Sequence, residues 1–186
     1  SATSAEHLAM HMIKKTAGDR RKVLTTPLTC TASNWPILAN GYDIEWVDVD
    51  PNTFNIDLDN LATKLTPDVA FVMVVHWGGY PVDLDKLDKI LEDFSKDWGY
   101  KPPVIEDGAH AWCSRYKNKY IGTHGNYNTF SFQAIKHLTT GDGGALVLPN
   151  QDLAQRARLL RWYGIDRENN SKDFRCEVDV AEWGFK

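Results

Sequence analysis

The residues best suited to chemistry lie between Ser131 and Gly144, in the order Ser131-Phe132-Gln133-Ala134-Ile135-Lys136-His137-Leu138-Thr139-Thr140-Gly141-Asp142-Gly143-Gly144. An apolar, strand-like run from Tyr127 to Phe132 leads into Lys136. A Thr-Thr pair and a glycine cluster follow, then a second strand-like run from Ala145 to Leu148. Strand, loop lysine, glycine turn and strand together hold one amine at a fixed point beside a cleft. Lysine is the amine that condenses with carbonyl groups, and burial makes it nucleophilic by lowering its proton affinity. A solvated lysine beside a β-turn has the same pattern, so this stretch alone leaves both readings open.

Two further stretches carry candidate groups. In Pro103-Val104-Ile105-Glu106-Asp107-Gly108-Ala109-His110-Ala111 a short apolar strand delivers two acids and then small residues. A carboxylate buried at a strand end needs a cationic or hydrogen-bonding partner; an acid that caps the next helix is the simpler alternative. At the other end, Ser1 to Glu6 opens a helix whose apolar face is Ala5, Leu8, Ala9, Met12 and Ile13. Thr3 or Ser4 can cap it. Free amides beside a hydroxyl at a helix N-terminus suit an anion.

These three stretches resemble, in the same order, the site of the DegT-type nucleotide-sugar aminotransferases. Those are fold-type I enzymes that use pyridoxal 5'-phosphate. The segment from Phe130 to Gly144 is similar to the family's Phe-Ser-Phe, three residues, Lys-Asn, then Thr-Thr-Gly-Glu-Gly-Gly; His137 stands for the usual Asn and Asp142 for the usual Glu. The resemblance implies that Lys136 binds the cofactor's aldehyde covalently and later moves a proton, and that Ser131 holds its phosphate. Glu-Asp-Gly-Ala-His-Ala at 106–111 resembles the family's Glu-Asp-Ala-Ala-Gln/His-Ala. That assigns Asp107 to the pyridine nitrogen, which it keeps protonated, and His110 to the ring hydroxyl. Gly108 and Ala109 would leave room for a flat ring. Thr3 and Ser4 match the phosphate loop. Cys30 stands where the family carries an aromatic side chain that stacks on the ring; Trp35 is read as a core residue or as a substitute for that ring. His76 and Trp77 follow an apolar strand, where α/β sheets gather ligands, although a structural role for His76 is the simpler reading.

The implied activity is transfer of an amino group from an amino acid such as glutamate to a nucleotide-linked keto-sugar, in a homodimer. One alternative within the family is a pyridoxamine-dependent sugar dehydratase, but those members carry histidine where Lys136 stands. Another is an incomplete or non-catalytic chain that binds cofactor weakly. Residues 1–186 resemble the large domain alone, truncated at both ends and without the small C-terminal domain; Glu182 to Lys186 is similar to the start of the link between the two.

The elements that must position these groups alternate. Strand signals at Lys22–Pro27, Tyr42–Val49, Val69–Val75 and 103–107 are separated by helical ones, which predicts an α/β fold. The expected architecture is three-layer α/β/α with a mainly parallel sheet, helices on both faces. Val69–Val75 is apolar throughout and suits a central strand. Asp57 and Asp83 are expected to cap helices from Leu58 to Leu65 and from Leu84 to about Trp98, the latter with Leu84, Leu87, Ile90, Leu91 and Phe94 inward. Tyr116 to Gly122 reads as a hairpin. Gln151 to Tyr163 reads as an amphipathic helix whose run from Arg156 to Arg161 is a solvated or interface face. Asn169-Asn170-Ser171 reads as a loop.

The totals agree with an ordinary globular protein. The chain has 186 residues, 42% hydrophobic and 25% charged, with a net charge of -4. The charge makes nucleic acid a poor partner. No apolar run approaches the ~20 residues of a membrane helix, and no secretory signal pattern is present. Cys30, Cys113 and Cys176 form neither a disulfide framework nor a metal-ligand spacing, so no metal and a cytoplasmic setting are expected.

Overall fold

The computed structural model describes residues 1–167 and 180–185. The chain divides into two compact units, Ser1–Val147 and Leu148–Lys186.

The first unit is built on a six-stranded sheet in the order β2-β1-β3-β4-β7-β8. Its strands are β1 (Lys22–Thr25), β2 (Asp43–Trp46), β3 (Val69–Val75), β4 (Val104–Asp107), β7 (Tyr127–Ser131) and β8 (Gly144–Val147). All neighbours are parallel except β7 and β8. Every residue of β3 is buried, as its unbroken apolar run predicts. β2 ends at Trp46, short of the expected Val49, because the chain turns away to pair Val49 with Ile56.

Helices α1 (Ala2–Ala17), α2 (Thr31–Ala39), α3 (Leu58–Lys64) and α4 (Leu84–Trp98) cover the sheet. Alternation along β3 divides the core. Val72 and Val74 join Leu61, Leu84, Leu87 and Leu91 of α3 and α4 in one cluster. Phe71 faces the other way and meets Tyr42 edge-on at 5.0 Å, while the Tyr42 hydroxyl reaches the carbonyl of Met10 in α1. The expected three layers are present. Asp57 and Asp83 cap α3 and α4 as expected, accepting from Asn60 N at 3.0 Å and Lys86 N at 3.1 Å. The hairpin of β5 (Arg115–Tyr116) and β6 (Lys119–Tyr120) turns through Lys117 and Asn118, both at positive φ.

Three local expectations change. The cap of α1 is Ser1, whose Oγ accepts from Ser4 N at 3.2 Å; Thr3 and Ser4 lie inside the first turn. Ala9, Met12 and Ile13 of the expected apolar face of α1 are buried, but Ala5 and Leu8 are only partly covered, and Ala2, Glu6, Met10 and Ala17 are buried instead. Trp35 is 61% exposed and is therefore not a core residue.

Of the two acids ending β4, Glu106 is structural. It is fully buried, and its Oε2 accepts from His76 Nε2 at 2.8 Å. His76 Nδ1 in turn accepts from the amide of Val82 at 3.1 Å, so the ring hydrogen lies on the side of Glu106. Asn126 and Asn128 complete the shell at 2.7 and 3.2 Å. Burial pushes the Glu106 carboxyl up, but the bonds from His76 and Asn126 outweigh it and the net shift is downward.

In the second unit, α5 (Gln151–Leu160) is capped by Asn150, whose side chain accepts from Leu153 N at 2.9 Å. Arg156 is not on a solvated face: its Nε and Nη2 donate to Glu182 at 2.8 and 2.6 Å, a two-pronged pair. Arg158 and Arg161 are exposed. Asn169-Asn170-Ser171 lies outside the described residues.

Removing His76 would strand the Glu106 carboxylate. We expect His76→Ala to lose about 3 kcal/mol of stability at neutral pH. A carboxyl held below its ordinary value stabilises the fold above that value, 4.5, and the contribution fades as pH falls through the folded value. Urea unfolding at several pH values should therefore show the deficit of His76→Ala shrinking below pH 4.5.

Candidate active site

The carboxyl end of the parallel strands opens into a cleft of about 300 Å³. Lys136, Asp107, His110, Ser131 and Thr3 all line it, with Glu6, Ser33, Cys30 and Trp77. Of the six side chains that the sequence singles out, only Ser4 is not on the lining; it is exposed and shares a 3.1 Å hydrogen bond with Ser1 Oγ.

Asp107 ends β4 at 4% exposure. Its Oδ2 accepts from Ser33 Oγ at 2.7 Å and its Oδ1 from the amide of Ala109 at 2.9 Å. Ser33 Oγ is itself 2.8 Å from Thr29 Oγ1. These donors come from the start of α2 and from the turn after β4, so two elements fix one carboxylate. The small residues beyond it divide their roles. Ala109 lines the cleft. Gly108 does not leave room for a ring, because β7 already fills its space: a Cβ there would lie 2.9 Å from Thr129 O and from the Phe130 ring.

Lys136 sits in the loop after β7, half-buried, in a turn closed by its amide donating to Gln133 O at 2.9 Å. The loop returns through Thr140 N, which donates to Phe132 O at 2.9 Å. The glycines then let β8 run beneath the start of α1. A Cβ on Gly144 would lie 2.5 Å from the carbonyl carbon of Ser1. This close approach brings the first turn of α1, and so Thr3, to the same cleft wall as Ser131 on β7.

His110 packs edge-on to Trp77 with ring centroids 5.9 Å apart. Its proton affinity is lowered, first by partial burial and then by the charge of Lys136, against a smaller opposite pull from Asp107. Cys30 is exposed on the cleft wall just before α2. Trp35 is not on that wall; the aromatic surfaces that are belong to Trp77 and His110.

Three buried polar groups escaped the sequence reading: Glu6, Ser33 and Thr129. Glu6 is 1% exposed, and its Oε1 accepts from Thr129 Oγ1 at 3.3 Å. Burial, and then the charge of neighbouring Asp107, raise its carboxyl well above the ordinary value. The signal was its place on the line Ala2-Glu6-Ala9-Ile13, at helical spacing with apolar residues.

The DegT/DnrJ/EryC1/StrS aminotransferase family model matches residues 1–186. The chain belongs to this family. Its members are pyridoxal-phosphate-dependent aminotransferases. The chain is 52% identical to AtS13 from Actinomadura melliaura over all of its length and 49% of that chain, with a TM-score of 0.95. It is 48% identical to the sugar aminotransferase CalS13 from Micromonospora echinospora, with the same coverage and a TM-score of 0.92. It is 37% identical to the UDP-4-amino-4,6-dideoxy-N-acetyl-beta-L-altrosamine transaminase of Campylobacter jejuni, over all of this chain and 46% of that protein. The chain thus spans about half the length of the relatives it matches. No helix among the described residues is long and apolar enough to cross a membrane, and no group of metal-ligating side chains occurs among them.

If Lys136 and His110 share one cleft, removing the amine charge must raise the proton affinity of the imidazole. In Lys136→Gln the His110 ring, followed by NMR, should titrate at higher pH than in the wild type. Because burial remains the larger cause, the midpoint should stay below the ordinary value for histidine.

Proposed function

We propose that this chain carries the cofactor site of a pyridoxal-phosphate-dependent sugar aminotransferase. Its amino donor is an amino acid such as glutamate, and its acceptor is a nucleotide-linked keto-sugar. The observation that carries the reading is the convergence of Lys136, Asp107, His110, Ser131 and Thr3 on one cleft. They come from three separate stretches of the chain, and family membership gives that convergence a chemistry.

The donor set fits the cofactor. A buried carboxylate matches a protonated pyridine nitrogen. A half-buried amine matches an aldehyde. Hydroxyls with helix amides match a phosphate. When bound, pyridoxal phosphate supplies an electron sink for the carbanion formed at the amino acid's Cα. Everything else falls to the protein. Asp107 holds one negative charge at a fixed point, oriented by Ser33 and Ala109. Ser131 and Thr3, at the first turn of α1, would hold the phosphate, whereas Ser4 lies off the cleft wall. His110 offers a ring nitrogen to the ring hydroxyl and a flat edge beside Trp77. Lys136 would hold the cofactor's aldehyde and, when its amine is free, would take the proton from the donor's Cα.

Lys136 also weighs against the dehydratase reaction, whose enzymes resembling this chain carry histidine there. A second copy of the chain completes the proposed enzyme. Ile135, 84% exposed beside Lys136, is the kind of apolar side chain that a partner covers.

The test is a visible absorption spectrum after pyridoxal phosphate is added and excess removed by dialysis. Wild-type protein should retain an absorption band that borohydride fixes to Lys136. Lys136→Ala should lose the fixed label and lower transamination by about 10²–10⁴-fold. Transamination by Lys136→Ala at the wild-type rate would refute the role of the lysine. Ser131→Ala should keep the band but weaken cofactor affinity by roughly tenfold, the effect of about 1.4 kcal/mol from one hydrogen bond to a charged group.

A further inference from the structure

Glu6 is a buried acid that the reaction outlined above does not use. It lies on the inner line of α1, 1% exposed, and lines the same cleft as Asp107. Its Oε1 has one long bond, from Thr129; its Oε2 meets no donor among the described residues, while the Asp107 carboxylate lies within hydrogen-bonding reach of the Glu6 carboxyl. The register of the sheet sets Thr129 of β7 directly beside Asp107 of β4. Glu6 reaches down to that pair from the helix. Two carboxyl groups thus meet at one buried point, and buried like charges cannot both ionise cheaply.

The surroundings decide which one keeps the proton. Asp107 has a hydroxyl donor at 2.7 Å and an amide donor at 2.9 Å, the shell an anion needs. Glu6 has one donor at 3.3 Å and an oxygen with none. We infer that Glu6 and Asp107 form a dyad holding one proton, in which Glu6 is the neutral acid and Asp107 the single anion of the cleft. Glu6 is thereby a positioning residue: it limits the charge facing the ring nitrogen to one unit and offers Asp107 a donor from the helix side. The titratable groups acting on Glu6 are Asp107 from β4 and, more weakly, Cys30 from the start of α2, and both favour its neutral form. The bearing of the dyad on the cofactor rests on the function proposed above. The dyad itself is a property of the ligand-free chain.

Infrared spectroscopy of the ligand-free protein tests it. At neutral pH the wild type should show a protonated-carboxyl stretch that moves on labelling with carbon-13 glutamate and is missing from Glu6→Gln. The labelling needs no variant, so a Glu6→Gln that fails to fold leaves the test standing. In Asp107→Asn the same band should persist but titrate away at lower pH, because a neighbouring negative charge has gone; a purely structural Glu6 would not respond. Unfolding measurements give a second reading. An acid whose folded value is raised costs stability as pH rises above its unfolded value, 4.5. The stability of Glu6→Gln relative to wild type should therefore grow with pH above that point. No glutamate-sensitive band at neutral pH would overturn the dyad, as would a band whose midpoint is unchanged in Asp107→Asn. Failure to retain pyridoxal phosphate would sink the proposed function and leave these infrared results intact.

Discussion

The site depends on where the two acids that end β4 send their charge. Adjacent residues of a strand point to opposite faces of the sheet. Glu106 and Asp107 therefore leave the same strand end into different layers. On one side Glu106 meets His76 and two asparagines, which satisfy it completely within the protein. On the other, Asp107 meets Ser33 and the Ala109 amide and remains open to the cleft. β7 repeats the division across the register, with Asn128 opposite Glu106 and Thr129 opposite Asp107. One acid ties the core together, the other faces the cleft, and a one-residue slip of register would exchange them.

The second constraint is distance between backbones. A phosphate-sized group can be held by α1 and β7 together only if the helix start comes down to the sheet. β8 lies under that start, so a residue without Cβ is needed where they touch, and Gly144 is that residue. Gly108 does the same between the turn after β4 and strand β7. Glycines that look like flexible turn residues are here contacts between elements. Their φ is not positive, and close packing rather than a left-handed backbone demands them.

Much of this was legible in the sequence, and the exceptions share a cause. The central strand, the alternation of helices and strands, and the caps at Asp57 and Asp83 all follow from local patterns, and they are present. Lys136, Asp107, His110, Ser131 and Thr3 could be named because they sit in motifs, and the fold brings them to one cleft. What local patterns do not carry is the partner of each group. Ser33 is 74 residues from Asp107, and Thr129 is 123 residues from Glu6. Arg156 looked solvated because Glu182, which holds it, comes 26 residues later. Trp35 looked like core because large aromatic side chains usually are, yet it stands on the outer side of a short helix. The inward face of α1 was read in part: Ala9, Met12 and Ile13 are buried as expected, but Glu6, a charged residue on the same side, was left out.

The lysine and the carboxylate in the cleft are kept apart in their bonding. Asp107 takes its hydrogen bonds from a serine and an amide, and no ion pair among the described residues involves Lys136. A lysine clamped by a carboxylate would hold its proton and its position. Such a pair would also spend the anion that a ring nitrogen needs. Supplying Asp107 with neutral donors solves both problems, because the carboxylate is oriented without consuming the amine. The Lys136 amide is tied to Gln133 O, and the loop returns through Thr140 N on Phe132 O. A carboxylate fixed at a strand end and an amine carried on a loop thus reach one cleft through separate bonding.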